Sequence, residues 1–377
     1  MTRILAENIV AFDDLPRFDR SAVDGYAIES NDTTGASQFK PKILQITEKN
    51  ELGRNQAKQV WTGNPLPRGA NAVVMLEDTG QTAGGIEVWT AVTPGENVSK
   101  RGEDLVRGET AVETGTRLKP HHLGLIAALG IARIRVFQKP RVGILTIGDE
   151  LVETGAKLTG GQIYDSNKHI LSSLCRELGA EPVDLGVAPD EADEILRKLR
   201  SGLEKTNVVL TSGGTSVGGS DLMPEIISIL GKPGIIVHGI AMRPAMPTAL
   251  AAIEGKPLII LPGNPVAAMI GFEVFARPLI CRMLGLKNEE HRPIVLAKMT
   301  RKIATSLGRK TYVRVLVRSH GAESLAEPIS ARGSGMISTM TKANGYVIVR
   351  ENREGLEENE SVSVHLFDGL GVNDDNV

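Results

Sequence analysis

The run VGILTI at 142–147, matched further along by NVVLT at 207–211, constrains this chain more than any other feature. Successive side chains of a strand point to opposite faces, so a run without polar alternation needs cover on both sides. The intervening segments supply that cover. Residues 166–178 carry Ile170, Leu171, Leu174, Cys175 and Leu178 at helical spacing, with Asp165 or Ser166 as cap and Gly179 as stop. A strand follows at 183–187. A second amphipathic helix spans 190–203, with Ile195, Leu196, Leu199 and Leu203 on one side. Segments 224–230, 235–240 and 258–261 continue the alternation, and a long helix over 266–284 closes it. Such alternation with short connections predicts a mostly parallel sheet covered on both faces. Ligands of such sheets bind off the carboxyl ends of the strands.

This α/β domain is expected over 139–287, flanked by two β-rich regions in a multidomain chain. Residues 1–138 are rich in Gly, Thr and Pro, with strands at 72–76 and 86–92 and a helix at 119–129 between Pro120 and Gly130. Residues 288–377 contain alternating runs at 312–317 and 346–349 and read as a small β domain. A 41% hydrophobic content with mean hydropathy −0.06 suits packed cores. Lys+Arg 43 against Asp+Glu 45 argues against gripping nucleic acid by bulk charge. No apolar run reaches the ~18 residues of a membrane span, and the start lacks a signal-peptide core. Cys175 and Cys281 sit among apolar neighbours and read as buried thiols, so a reducing, cytoplasmic setting is expected. His121 and His122 open a helix without metal-ligand partners at useful spacing and read as structural.

Glycine makes up 41 of 377 residues, roughly 11% against a usual ~7%, and the excess falls in loops. SGGTSVGGSD at 212–221 follows a buried strand and precedes a helix. Its glycines let backbone N–H groups approach an anion, and Ser212, Thr215 and Ser216 add hydroxyls. Asp221 suits a phosphate loop only where a divalent cation bridges the two. A tight glycine turn with Asp221 as helix cap is the alternative. TIGDEL at 146–151 puts Asp149 and Glu150 at the end of the first sheet strand, an arrangement for a hard cation or a hydroxyl. LPGNP at 261–265 sets Asn264 and Pro265 at a helix start, and RPAMP at 243–247 offers the cation Arg243. FDRSAVDGYA at 18–27, WTGNP at 61–65 and KRGED at 100–104 are polar segments hinged on glycine. Each of these also suits an ordinary turn. No Ser-His-Asp or Cys-His arrangement stands out, which disfavours covalent catalysis.

Taken in order, FDRSAVDGYA, WTGNPLP, KRGEDL, TIGDEL, GQIYDSN, TSGGTSVGGSD and LPGNPVAA resemble the MoeA/gephyrin family of molybdopterin molybdotransferases. The resemblance implies a central molybdopterin-binding-like domain and a homodimer whose dimerisation region includes the N-terminal part. It implies insertion of molybdate into adenylylated molybdopterin with release of AMP, aided by Mg2+. By motif, Asp24, Glu150 and Asp221 would be catalytic, with Glu150 and Asp221 holding the cation. Thr62, Asp104, Ser212, Gly213, Gly214, Ser216, Gly218, Arg243, Pro262, Pro265, Arg314 and Ser334 would bind substrate. Molybdopterin adenylyltransferase and molybdoenzymes are the implied protein partners; nucleic acid and membrane are not.

The chain departs from the family pattern on the oxyanion side. Where the family carries Lys-Pro-Gly-Lys-Pro, Arg243 keeps one cation, Met246 replaces the second and Ala245 replaces the glycine. Ala267 stands where a serine usually follows PGNPV. A lost charge-assisted contact is worth about 1.5–3 kcal/mol, so weaker molybdate binding is expected. The family's first helices have no counterpart, so the expectation is either a trimmed dimerisation region or a misassigned start. The alternative function is a paralogous pterin-binding enzyme that takes tungstate or adenylylates molybdopterin. A module that only anchors peptides through its C-terminal domain is a third class, which no feature demands.

Overall fold

The computed structural model describes residues 3–214, 222–287, 292–321, 323–330 and 335–367. The described residues form two compact units, one on residues 5–136 and the other on residues 137–367 together with residues 3–4.

The first unit is β-rich. Its main sheet runs in the order Ala72–Met75, Gly25–Ile28, Gln56–Val60, Lys42–Ile46, Gly85–Val88, Thr79–Thr82. Lys42–Ile46 and Gln56–Val60 are parallel, and the other pairs are antiparallel. Tyr26, Ile28, Leu44, Ala57, Val74, Ile86 and Val88 form one core cluster. A second cluster packs the helix Pro120–Ala128, through Ile126, against Leu5, Ile9, Leu105 and Val112.

In the second unit a six-stranded sheet runs Glu181–Ala188, Arg141–Ile147, Val208–Ser212, Lys256–Leu261, Ala249–Ile253, Pro233–His238. The first four are mutually parallel. Ala249–Ile253 runs antiparallel to both of its neighbours, so the sheet is mixed. The sequence reading did not anticipate that strand. Glu254 and Gly255, at φ +48° and +80°, make the two-residue hairpin turn that reverses the chain. Both faces are covered, as the apolar runs require. Val142, Ile144 and Leu210 pack with Leu171, Cys175, Phe272 and Ile280 on one side. Leu145, Ile147 and Val209 pack with Ile195, Leu199, Ile226 and Ile227 on the other. Each such fully buried side chain contributes about 1.5–3 kcal/mol relative to exposure. Cys175 and Cys281 are buried, and burial pushes the Cys175 thiol up to about 12.

The helix expected over 266–284 has three parts: Pro265–Gly271, a π turn over Phe272–Ala276, and Arg277–Met283. Pro278 explains the widening, because its ring collides with the carbonyl four residues back, that of Val274 in the π turn. The C-terminal strands close into a ring. Lys310–His320 pairs Glu323–Ser330, which pairs Ile294–Met299, then Ser361–Leu366, then Gly345–Val349, which returns to Lys310–His320. Val313, Val315, Ala326, Val347 and Val364 are among the side chains of its apolar core. Met242–Arg243, read from sequence as a loop of the α/β domain, instead adds in parallel to Lys310–His320. No helix among the described residues is long and apolar enough to cross a membrane.

Arg292 ties the two halves of this unit. It meets Glu273 of the π turn at 2.8 and 3.0 Å and Glu177 at 3.0 Å, and it also donates to the Phe367 carbonyl. Burial alone would lower the Arg292 pKa, but the Glu273 and Glu177 carboxylates outweigh it and raise it. The Arg292 and Glu273 side chains are only 10% and 8% exposed. Removing Arg292 leaves the Glu273 carboxylate in a poorly solvated place with only the longer Arg277 contact, at 3.4 Å. Arg292→Ala should therefore cost about 3 kcal/mol, read as a lower denaturant midpoint for this unit.

Candidate functional site

In the first unit three of the glycine-hinged segments converge. Ser21 N donates to Asn64 O at 2.9 Å, Gly63 N to Ser21 O at 2.8 Å and Ala22 N to Asn97 O at 2.9 Å. Arg20–Ser21 pairs with Val98–Ser99, and Arg101 N donates to Asp19 Oδ1 at 2.8 Å. Asp24 Oδ1 accepts from Thr62 N and from Thr62 Oγ1, both at 2.7 Å. These bonds, the backbone one first, hold the Asp24 carboxyl below its usual range. Asp24, Thr62 and Asp104 are all exposed. Asp14 organises the third segment by accepting from Arg101 Nε at 2.5 Å and Arg107 N at 2.8 Å. These two bonds, Arg107 first, lower its pKa. Asp14 and Asp19 carry this arrangement, and only their acidity in a polar stretch signals it in the sequence.

In the second unit the register sets Thr146 beside Ser212 and Ser212 beside Leu261 at the carboxyl ends of three parallel strands. The loops after these strands touch. Gly213 N donates to Leu261 O at 3.1 Å, and Ser212 Oγ donates to Pro262 O at 3.1 Å. Gly213 has φ +96°, and a Cβ there would stand 2.2 Å from Ile147 O, so only glycine fits. Gly214 follows at φ +75°. Ser212 is buried, with its hydroxyl donated to Pro262 and accepting from Asn167. Asp149 exchanges bonds with Asp190, at 3.0 and 3.4 Å. Glu150 is exposed at the same strand end.

Pro262 is buried, and Pro265 opens the following helix after Asn264. Asn264 Oδ1 lies 3.4 Å from where a Cβ on Gly335 would stand, so this loop adjoins the C-terminal segment. Arg243 is exposed and sits in register with Thr311 of the barrel. Arg314, on that same barrel strand, is 2% exposed, and burial lowers its pKa. Ala245 adopts φ +76°, a left-handed conformation that costs a non-glycine residue about 1–2 kcal/mol. Thr248 holds it, donating to Ala245 O from N at 3.1 Å and from Oγ1 at 2.8 Å. Ala267 is buried in an apolar cluster with Met242, Ile270, Tyr312 and Tyr346. Asp221, Ser216, Gly218 and Ser334 lie outside the described residues.

The start of helix Asn167–Leu178 falls in the motif GQIYDSN but supplies none of the site residues expected from the sequence. Asp165 accepts from Thr146 Oγ1 at 2.6 Å and from Lys168 N at 3.0 Å, which makes it the functional cap although Ser166 holds the cap position. Lys168 grips Glu153. Burial alone would lower the Lys168 pKa, but Glu153 and Asp184 outweigh it and raise it. The aspartate–serine–asparagine run before a helix was the signal.

Touching glycine loops at the carboxyl ends of parallel strands are the place where α/β proteins of this class bind their ligands, phosphates among them. Three family models cover most of the chain: MoeA N-terminal region (domain I and II) over 1–130, probable molybdopterin binding domain over 143–282, and MoeA C-terminal region (domain IV) over 296–367. The chain is 31% identical to molybdopterin molybdenumtransferase of Haemophilus influenzae, over 98% of this chain and 92% of the relative. It is 33% identical to the Bacillus subtilis protein of that name, over 97% and 87%. A crystal structure of a molybdopterin biosynthesis MoeA protein from Pyrococcus horikoshii superposes with TM-score 0.81 at 35% identity, over 98% of this chain and 92% of that one. The chain belongs to the MoeA family.

Asp24 lends itself to a direct test. Its depressed pKa means that the ionised form, and the Thr62 bonds with it, persist above the ordinary carboxyl pKa of 3.8 and are lost as pH falls through the lower folded value. Thr62→Val removes the hydroxyl bond and keeps the backbone one. The Asp24 midpoint, followed by carboxyl carbon NMR, should move up toward 3.8 in that variant.

Proposed function

We propose that this protein inserts molybdate into adenylylated molybdopterin and releases AMP, in molybdenum cofactor biosynthesis. The observation that carries the reading is the edge where the 212–214 and 262–264 loops meet beside exposed Glu150, in a chain related over nearly its whole length to molybdopterin molybdenumtransferases. The touching loops present backbone to a phosphate without side-chain obstruction. Arg243 supplies a fork of donors for an oxyanion. Asp24 stays ionised at neutral pH and serves as a hydrogen-bond acceptor toward the ligand.

The substrate's pyrophosphate carries negative charge toward an acidic edge, which calls for a hard cation. Mg2+ needs only one or two carboxylates and completes its octahedron with water and phosphate oxygens. Glu150, exposed and outside the Asp149–Asp190 pair, fits that requirement, with Asp221 as the second acid in the sequence. When bound, Mg2+ neutralises phosphate charge and polarises the anhydride. In the second unit Gly213, Gly214, Pro262, Pro265 and Arg314 position the substrates, with Ser216, Gly218 and Ser334 from the motifs, and Thr62 and Asp104 are the residues that the motifs assign to substrate in the first unit. We place the activity in the cytoplasm, in a homodimer that receives its substrate from a molybdopterin adenylyltransferase and passes its product to molybdoenzymes.

The reading stands on one assay. Purified protein given adenylylated molybdopterin should release AMP only with both Mg2+ and molybdate, and Glu150→Gln should cut that release by about 100-fold or more with unfolding unchanged. Binding of the substrate with no AMP release under molybdate or tungstate would overturn it. Met246 is half-buried where the family carries lysine. Met246→Lys should lower the molybdate concentration for half-maximal rate by about tenfold, the worth of one charge-assisted bond.

A further inference from the structure

Asn167 opens helix Asn167–Leu178, and its amide lies between two of the site's loops. Nδ2 donates to Ser212 Oγ at 2.8 Å and to Gly263 O at 2.7 Å. Those acceptors follow different strands, so one planar group spans the seam. The residue is 8% exposed. Its Oδ1 is buried and meets no hydrogen-bond partner among the described residues. A side chain that merely filled this space would be more stable without an unpaired polar atom. A native protein that keeps one has a use for the group. The neighbouring residues hold the third loop, since Asp165 binds Thr146 and Lys168 grips Glu153. The remaining seam bonds, Gly213 to Leu261 and Ser212 to Pro262, join the loops without reference to the helix.

We propose that Asn167 is a positioning residue for the phosphate-side edge, fixing the 212–214 and 262–264 loops at one separation so that they face substrate as a single surface. The inference rests on the function proposed above. An uncharged amide supplies two donors in one plane, which neither a carboxylate nor a hydroxyl can do. Aspartate at 167 would set acceptors against the Gly263 carbonyl, and alanine would leave that carbonyl without its donor.

The test compares Asn167→Asp, Asn167→Ala and Ser212→Ala by AMP-release kinetics and by hydrogen exchange of the ligand-free protein. Both Asn167 variants should raise KM for adenylylated molybdopterin by about tenfold or more, with kcat within about threefold. Ser212→Ala keeps the Gly263 bond and should raise KM by about two- to fivefold. Exchange at the Gly213 amide should rise in both Asn167 variants, while the Lys310–His320 strand stays protected. A merely structural role would lower the unfolding midpoint and leave KM within about twofold, which overturns the proposal. Should both Asn167 variants fail to fold, an unchanged KM in Ser212→Ala overturns it instead. An inactive parent protein defeats the functional reading alone. Gly213 exchange then decides the role of Asn167, and unchanged exchange overturns it.

Discussion

The second unit depends on satisfying polar groups where three parallel strands end together. Thr146, Ser212 and Leu261 stand side by side there, and the chain must leave each strand without stranding buried donors or acceptors. Asp165 takes the Thr146 hydroxyl, Asn167 takes Ser212 and Gly263, and Gly213 takes Leu261. Each bond is worth only about 0.5–1.5 kcal/mol net, but leaving a buried group unmade costs about 1–3. The loops are consequently held from within.

The same logic governs the junction with the C-terminal barrel. Met242–Arg243 leaves the α/β domain to lengthen the barrel's sheet, and Arg292 clasps Glu273 on the π turn. Both features draw Arg243 and the Asn264 loop toward barrel residues. Ala245 holds a left-handed backbone within this junction, and Thr248 binds its carbonyl twice. Strain of this size persists only where surrounding contacts over-determine it. Ala267, which the family pattern would make a serine, lies among apolar side chains of this junction. A hydroxyl at that position would need a partner there.

Much of the α/β domain was legible from residue pattern. The uninterrupted runs at 142–147 and 207–211 required two covered faces, and the spacing of Leu171, Cys175 and Leu178 required a helix to provide one of them. The hairpin strand Ala249–Ile253 was not legible, because ALAAI carries little β preference and its turn depends on Glu254 accepting a left-handed backbone. The π turn is not legible either, because Pro278 reads equally well as a helix start. In the first unit the three polar segments were recognisable, yet their convergence depends on Asp14 and Asp19, whose hydrogen bonds reach far along the chain.

By itself the sequence determined the covered sheet and the loops at its edge, because these follow from local periodicity and from glycine at fixed offsets. The tertiary structure alone decided which polar side chains are spent on holding the site and which remain for a ligand. Ser212 is committed and buried, whereas Glu150 stays exposed. That division rests on hydrogen bonds between residues distant in the chain, such as Asn167 to Gly263, and no local pattern encodes them.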